Sequence, residues 1–289
     1  LGRLSQWAPV AGGNEASVNL MSPARDLALS LLDSVALPGW PPRLLRRSIA
    51  PANIDPRDRA LAEQIHIGTV KSLLFLQHLI RQYSGRDLKS IDPLVQKVLA
   101  IGLYQLRFLS RIPAPAAVHE AVEQARHVGR PRAAGMVNAV LRRAIREPQV
   151  PMPDRECSPA DYARIVLSHP RKLYERLAAL AGPAEALAIC EHDNREPPTI
   201  VRLIGATRPE DLAGPNLAIT PHEMTGMFVV AGAMRSVLAD WACRGLTQVQ
   251  DPTSADVVAH LNLAPGQTIL DRCCGMGTKT LQIAEQIGP

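Results

Sequence analysis

The sequence predicts a multidomain chain in which an all-α helical bundle is followed by an α/β region. Only 3% of the 289 residues are aromatic, so the core has to be built mainly from Leu, Val, Ile and Ala, which favours helices over a β-sandwich. Apolar residues recur at helical spacing up to a proline-rich segment at residues 147–153, and short β-type runs appear after it. The length is sufficient for two domains.

The helical domain is predicted over residues 23–148, behind a loose tail at residues 1–22. Asp55-Pro56 and Asp92-Pro93 each place a capping carboxylate before a proline in the first turn of a helix. From Asp55 to Tyr83 apolar side chains fall on nearly every face, which predicts one helix in the middle of the bundle. The predicted helices span residues 23–36, 55–83, 92–106, 116–128 and 129–146.

The remainder is predicted to mix helices and strands. We expect a linker and a small α/β subdomain over residues 149–245, followed by the start of a further domain over residues 246–289. Short β-type runs predict strands at residues 199–203, 245–249 and 268–270. The predicted helices span residues 170–180, 183–189, 251–263 and 278–287.

The net charge of +5 is unevenly distributed. Residues 1–150 carry 20 Lys and Arg against 11 Asp and Glu, whereas residues 151–289 carry 12 against 16. A basic half suggests contact with a polyanion such as RNA or DNA, although the same charge could simply keep the domain in solution.

Arginines at the end of the first domain predict a positively charged face. Arg132 and Arg143 are eleven residues apart, so on an ideal helix they point within roughly 20° of each other. Arg146 lies near them, and Val137 and Ile145 are expected on the opposite side. The functional interpretation is phosphate contact, and the alternative is a solvated helix face.

The segment at residues 271–280 follows a predicted strand and precedes a predicted helix. Its glycines let the backbone approach a ligand, and the helix start offers free amides. A phosphate-binding loop would need glycine where Cys273 and Thr278 stand, and a dinucleotide fingerprint would need it at Thr280. A nucleoside cofactor without a pyrophosphate, such as S-adenosylmethionine, fits, and so does a plain turn at a helix start.

Other features narrow the class of protein. The five cysteines lack the spacing of a disulfide framework, which is typical of reduced, cytoplasmic proteins. The eight histidines show no metal-ligand spacing, so no metal is expected. No run of about 18 apolar residues predicts a membrane span, and the first residues lack the apolar core of a secretory leader. We expect a cytoplasmic monomer.

Segments from both halves of the chain together form a pattern. The front half has Gly102-Leu103-Tyr104-Gln105-Leu106, Arg111-Ile112-Pro113, His119-Glu120-Ala121-Val122 and Val137-Asn138-Ala139-Val140-Leu141-Arg142. Further along are Ser168-His169-Pro170, Asn194-Arg195-Glu196-Pro197-Pro198, Val249-Gln250-Asp251 and the segment from Leu270 to Thr280. The chain resembles the RNA 5-methylcytosine methyltransferases, and within them the ribosomal small-subunit RNA methyltransferase B group, which carries an antitermination-factor-like (NusB-like) domain in front.

This resemblance implies a Rossmann-like S-adenosyl-L-methionine domain beginning near residue 246, and docking of small-subunit ribosomal RNA by the NusB-like domain through Arg132, Arg143 and Arg146. The family's cofactor loop reads Cys-Ala-Ala-Pro-Gly-Gly-Lys, and this chain departs from it at four positions. If Thr278 stands where a positive φ is needed, a β-branched residue is strained there. The implied cofactor-binding residues are Cys273, Cys274, Gly275, Met276, Gly277, Thr278 and Lys279.

The implied reaction is methylation of cytosine C5. In it a cysteine thiolate attacks C6 of an unstacked base, which makes C5 nucleophilic. The family's Pro-Cys pair and second cysteine lie well downstream of the cofactor loop. No catalytic residue is therefore expected before Pro289, and the chain by itself is expected to be inactive. The alternative is a non-catalytic RNA-binding module of the antitermination type, and the missing glycines disfavour an NTPase.

Overall fold

A computed structural model describes residues 22–34, 54–212, 214, 217–232 and 235–288. The chain divides into two compact units, residues 1–195 and residues 196–289. This division falls inside the segment 149–245 that the sequence predicts as a linker and small subdomain. The predicted tail at residues 1–22 lies outside the described residues, except for Ser22.

The described part of the first unit is helical, which confirms the helical prediction for residues 23–148 and extends it to Asp193. Asp55 caps its helix by accepting from the Arg57 amide at 2.7 Å, and Asp92 caps another by accepting from the Leu94 amide at 2.9 Å. Short 3-10 turns lie at Leu88–Ser90 and Pro131–Ala133. The helices are α1 (Pro23–Ser34), α2 (Pro56–Lys71), α3 (Leu73–Ser84), α4 (Pro93–Phe108), α5 (Ala114–His127), α6 (Ala134–Arg146), α7 (Pro159–Ile165), α8 (Arg171–Ala181) and α9 (Pro183–Asp193).

The prediction of one central helix from Asp55 to Tyr83 is wrong. The segment breaks at Ser72, whose φ of −98° and ψ of 15° separate α2 from α3. Its apolar side chains are not all buried either, since Ile67 is 42% exposed. The central helix is α4, which buries nine residues between Val95 and Gln105.

Close packing around α4 depends on a small residue in the neighbouring helix α2. A Cβ added at Gly68 would lie 2.0 Å from Cζ of Tyr104, so the two helices meet where Gly68 leaves room for the tyrosine ring. That ring stacks on Phe108 with 5.2 Å between centroids. Helices α7 to α9 form a second, smaller cluster of buried residues: Ala163, Leu167, Tyr174, Ala186, Leu187 and Cys190.

The second unit contains a four-stranded antiparallel sheet in the order β2-β3-β1-β4. Val201 in β1 lies opposite Phe228 on one side and Val249 on the other. Its core contains Val201, Leu212, Val230 and Trp241. The elements are β1 (Thr199–Leu203), β2 (Ala218–Pro221), β3 (Met227–Ala231), α10 (Arg235–Cys243), β4 (Thr247–Val249), α11 (Pro252–Ala259) and α12 (Thr278–Ile287).

Several predicted boundaries change in the second unit. The strand at residues 199–203 and the helix at 278–287 are confirmed, while the strand predicted at 245–249 begins at Thr247. The helix predicted to reach residue 263 ends at Ala259, with Asn262 at a left-handed φ of 49°. No strand forms at residues 268–270, and Leu270 is 83% exposed. A strand needs a hydrogen-bonding neighbour, and the described sheet ends at β4.

Candidate cofactor turn and nucleic-acid interface

Residues 271–280, here named the candidate turn, are held together by one carboxylate. Asp271 Oδ1 accepts from the Cys273 amide at 3.0 Å, and Oδ2 accepts from the Thr280 hydroxyl at 2.8 Å. Within the turn, the Gly277 amide donates to the Cys274 carbonyl at 2.8 Å. Asp271 therefore ties the start of the turn to the first turn of α12.

The left-handed backbone conformations in the turn fall on glycine. Gly275 has φ 57° and Gly277 has φ 83°, whereas Thr278 is the first residue of α12 and does not have a positive φ. The strain considered for Thr278 is therefore absent. A departure from the family's loop at this position costs no backbone strain.

The turn leaves its backbone open to a ligand. No atom lies within 4 Å of a Cβ added at Gly275 or Gly277, and no side chain caps the start of α12. The first helical amide with a backbone acceptor is that of Leu281, 2.8 Å from the Gly277 carbonyl. The amides of residues 278–280 can therefore receive an anionic group such as a carboxylate.

Side chains around the turn differ in exposure. Cys273, Cys274 and Met276 are exposed, with Met276 at 83%, and Lys279 is half-buried. The residues present thus fit a small nucleoside cofactor bearing a carboxylate. They offer accessible amides, one lysine cation and an apolar thioether.

The structure does not group the three predicted arginines as the sequence suggests. Arg132 lies in the 3-10 turn before α6. The rotation of about 100° per residue that sets side-chain directions in an α-helix therefore does not apply to it. The Nε atom of Arg143 is 2.9 Å from Glu147 Oε2, and its Nη1 atom is 3.3 Å from the Tyr83 carbonyl. Arg146 is exposed and lines a cleft between α5 and α6. Ile145, expected on the opposite side, is 43% exposed and lines the same cleft.

This α5–α6 cleft, with a volume of about 740 Å³, brings together cations that the sequence analysis missed. Arg142 in its wall is oriented by Asn138, whose Oδ1 atom lies 2.9 Å from the arginine Nε. The spacing of Asn138, Arg142 and Arg146, four residues apart each time, was the available signal. The polar and charged residues of the cleft are His119, Glu123, Arg126, Asn138, Arg142 and Arg146.

Two of the cysteines are poor nucleophiles. A hydrogen bond to Asp154 raises the pKa of the Cys157 thiol, and burial raises the pKa of Cys190. Across the described residues, no cluster of three or more His, Cys, Asp or Glu side chains could hold a metal ion. In that same part of the chain, no helix has both the length and the apolar character needed to cross a bilayer.

The part of the chain that contains α1 to α6 matches a known family of domains. Residues 22–146 match the NusB family. A small antiparallel α/β unit carrying the candidate turn follows that domain.

The chain is also similar, over a length that extends beyond this domain, to named enzymes. It is 35% identical over 239 residues to ribosomal RNA small subunit methyltransferase B of Pseudomonas putida, a match covering 80% of this chain and 53% of that protein. It is 29% identical over 280 residues to the probable enzyme of that name from Synechocystis, covering 93% and 62%. The chain thus spans little more than half the length of these relatives. The crystal structure of PH0851 shares the fold, with a TM-score of 0.65 at 16% identity over 95% of this chain and 62% of that one.

Proposed function

We propose that the chain belongs to an enzyme that methylates cytosine C5 in small-subunit ribosomal RNA, with S-adenosyl-L-methionine as methyl donor. The observation that carries the proposal is the candidate turn. Its two left-handed glycines and open amides at the start of α12 follow a domain of the NusB family, in a chain related to ribosomal RNA methyltransferases. The cytosine target and the Rossmann-like surroundings of the turn are part of this proposal.

The chain's own residues would bind and orient the cofactor. The amides of residues 278–280 would donate hydrogen bonds to its carboxylate, and Lys279 would add a positive charge nearby. Cys273, Cys274, Gly275, Met276 and Gly277 would line the nucleoside side of the turn through their exposed backbone. When bound, the cofactor supplies a sulfonium-activated methyl group. Asp271 holds the turn in the required shape through its contacts to Cys273 and Thr280.

No cysteine of this chain is proposed as the thiolate that attacks cytosine C6. Cys157 and Cys190 have raised pKa values, which favour the protonated thiol. Cys243 is exposed at the end of α10, and Cys273 belongs to the candidate turn. The attacking cysteine downstream of Pro289 stays a prediction from the family resemblance.

The RNA is proposed to bind at the α5–α6 cleft. Arg142 and Arg146 are exposed in its wall and have no ion pair among the described residues, so their guanidinium groups are available for phosphate. Arg132, exposed in the 3-10 turn before α6, would extend this surface. Arg143 is the weaker candidate because Glu147 and the Tyr83 carbonyl already accept from it.

A salt titration of RNA binding tests this interface. We expect the double variant Arg142→Ala with Arg146→Ala to bind small-subunit ribosomal RNA about tenfold or more weakly at moderate salt. The slope of log K against log salt should fall by about one for each phosphate that the variant no longer binds. Arg155→Ala with Arg244→Ala is the matched control, because both arginines already pair with carboxylates elsewhere. Equal affinities for the two double variants would contradict the assignment of the cleft.

Equilibrium dialysis with S-adenosylmethionine tests the turn. Gly277→Ala forces a residue with a Cβ into φ 83°, so we expect at least a severalfold loss of affinity. Gly226→Ala is the matched control, because Gly226 has φ 79° in the same unit and lies between β2 and β3, outside the turn. Equal losses in both variants, or protection of the turn from proteolysis by a nucleoside triphosphate, would count against a methyl-donor site.

A non-catalytic RNA-binding module of the antitermination type is the second candidate function. It is favoured by the NusB match over residues 22–146. RNA binding at the cleft together with a full-length reading frame that lacks the Pro-Cys pair would select it.

A further inference from the structure

The interior of the second unit contains a chain of polar side chains that ends on α12. Arg202 projects from β1 with its side chain only 11% exposed. Its Nη1 and Nη2 atoms lie 2.7 and 3.1 Å from the two carboxylate oxygens of Glu285 in α12. This is a two-point contact between a planar guanidinium and a carboxylate, which restricts both distance and rotation.

Two glutamines extend the contact. Arg202 Nε donates to Gln250 Oε1 at 2.9 Å, and Gln250 Nε2 donates to Gln282 Oε1 at 2.6 Å. Gln282 Nε2 in turn donates to the Ala255 carbonyl in α11 at 3.2 Å. Gln250 and Gln282 are 4% and 7% exposed, so their amides depend on one another for hydrogen bonds.

Apolar packing contributes little to holding α12. The buried residues of this helix are Gln282 and Ile283, and Leu281 is 39% exposed. A helix with a single buried apolar side chain can slide or rotate at small cost, because dispersion and burial are not directional. The ion pair and hydrogen bonds of Arg202, Gln250 and Gln282 are directional, and they restrict the position of α12.

We propose that Arg202 is a positioning residue, which fixes α12 against the antiparallel sheet and thereby sets the place of the candidate turn. Gly277 directly precedes α12, so any shift of the helix moves the amides of residues 278–280 with it. Gln250, which stands in the Val249-Gln250-Asp251 segment, is the second member of this arrangement. Asp251 next to it caps α11 by accepting from the Ser254 amide at 3.2 Å. The consequence for cofactor affinity rests on the proposed function, whereas the position of α12 does not.

Amide hydrogen exchange tests the positioning directly. In Arg202→Met, which keeps an unbranched apolar stem but loses the guanidinium and its donors, we expect residues 273–287 to exchange about tenfold faster or more, because breaking the pair strands the Glu285 carboxylate. Arg244→Met is the matched control, since it removes a guanidinium that pairs with Asp240 on the surface of the same unit. In a Trp7→Phe, Trp40→Phe background, emission of the buried Trp241 reports whether the unit remains folded.

Two further variants distinguish a loss of positioning from a simple loss of folding. Arg202→Lys keeps the charge but loses the two-point contact, so intermediate exchange is expected. Arg202→Met with Glu285→Met removes both charges. No unpaired carboxylate is then left, so cooperative unfolding should recover. The turn should still be mobile, because no directional contact holds α12. Equal exchange over residues 273–287 in Arg202→Met and Arg244→Met would overturn the proposal.

Measurement of S-adenosylmethionine affinity separates this inference from the proposed function. If the turn binds the cofactor, Arg202→Met should weaken binding about tenfold while Trp241 emission is unchanged, an effect that a purely structural contact would not produce. If the unchanged chain binds no S-adenosylmethionine, the proposed cofactor site fails, and faster exchange in Arg202→Met still upholds the positioning role.

Discussion

At the scale of single residues, Gly68 is a position where a hydrogen in place of a methyl group decides how two helices pack. The ring of Tyr104 occupies the space that a side chain at position 68 would take. Tyr104 cannot move aside freely, because it is 8% exposed and stacked on Phe108. The contact between α2 and α4 therefore depends on the absence of a Cβ.

We expect Gly68→Ala to lower the free energy of unfolding by about 1–3 kcal/mol, the usual range for overpacking a closed site. Gly135→Ala in α6 is the control: nothing lies within 4 Å of its added Cβ, so helix propensity should make it neutral or stabilising by up to about 1 kcal/mol. Urea unfolding followed by circular dichroism measures both. A neutral Gly68→Ala would show that Tyr104 can reorient.

Contacts between residues that are close in the sequence can be predicted from the sequence. The caps at Asp55 and Asp92 depend on neighbours two residues away, so the Asp-Pro pairs sufficed to predict them. The arginine face depends on which residues begin the helix and on distant acceptors such as the Tyr83 carbonyl. The spacing of residues along a helix shows neither where the helix begins nor which distant groups accept from its side chains.

At the scale of elements, Ser168 explains why the predicted long helix is divided. Ser72 makes no side-chain cap for α3, and the Leu74 amide instead donates to Ser168 Oγ at 3.0 Å from 94 residues away. Ser168 has a left-handed φ of 60° to reach that position. A break that is capped by a tertiary contact leaves no Pro or Gly signal in the local sequence.

Substitutions at Ser168 should separate the hydrogen bond from the backbone strain. Ser168→Ala loses the acceptor and keeps the left-handed φ, so a loss of about 1 kcal/mol in unfolding free energy is expected. Ser168→Gly loses the same acceptor but relieves the strain, and should be less destabilised by about 1 kcal/mol. Chemical denaturation compares them; an unchanged Ser168→Ala would refute the capping role.

Strand prediction at residues 268–270 failed for a related reason. A β-type run describes only the chain's own preference, whereas a strand also needs a neighbour for its backbone groups. Residues 199–203 have such neighbours in β3 and β4, and residues 268–270 have none among the described strands. The order of helical and mixed segments was predictable, but the antiparallel sheet order was not.

At the scale of the whole molecule, the two units differ in how much apolar surface they bury. The first unit has a continuous core along α1 to α6, whereas the sheet core of the second is four buried residues: Val201, Leu212, Val230 and Trp241. Several large apolar side chains of the second unit remain exposed. They include Val257, Leu261, Leu270 and Met276.

We expect this chain to unfold in two steps, the second unit first. In a Trp7→Phe, Trp40→Phe background, Trp241 reports on the second unit, while far-ultraviolet circular dichroism follows mainly the helices of the first. The Trp241 transition should precede the circular dichroism transition by about 1 M urea or more, because a smaller core gives less stability. Coincident transitions would mean that the two units unfold cooperatively.

The close approach at Gly68 also limits how this domain can diverge. Positions 68 and 104 cannot drift independently, since a larger side chain at the first collides with the ring at the second. Substitution must proceed in a set order: a smaller residue has to replace Tyr104 before a larger residue can replace Gly68. Lineages that carry alanine or serine at position 68 are thus expected to have lost the aromatic ring at position 104 beforehand, and paired changes at these two sites should trace that history.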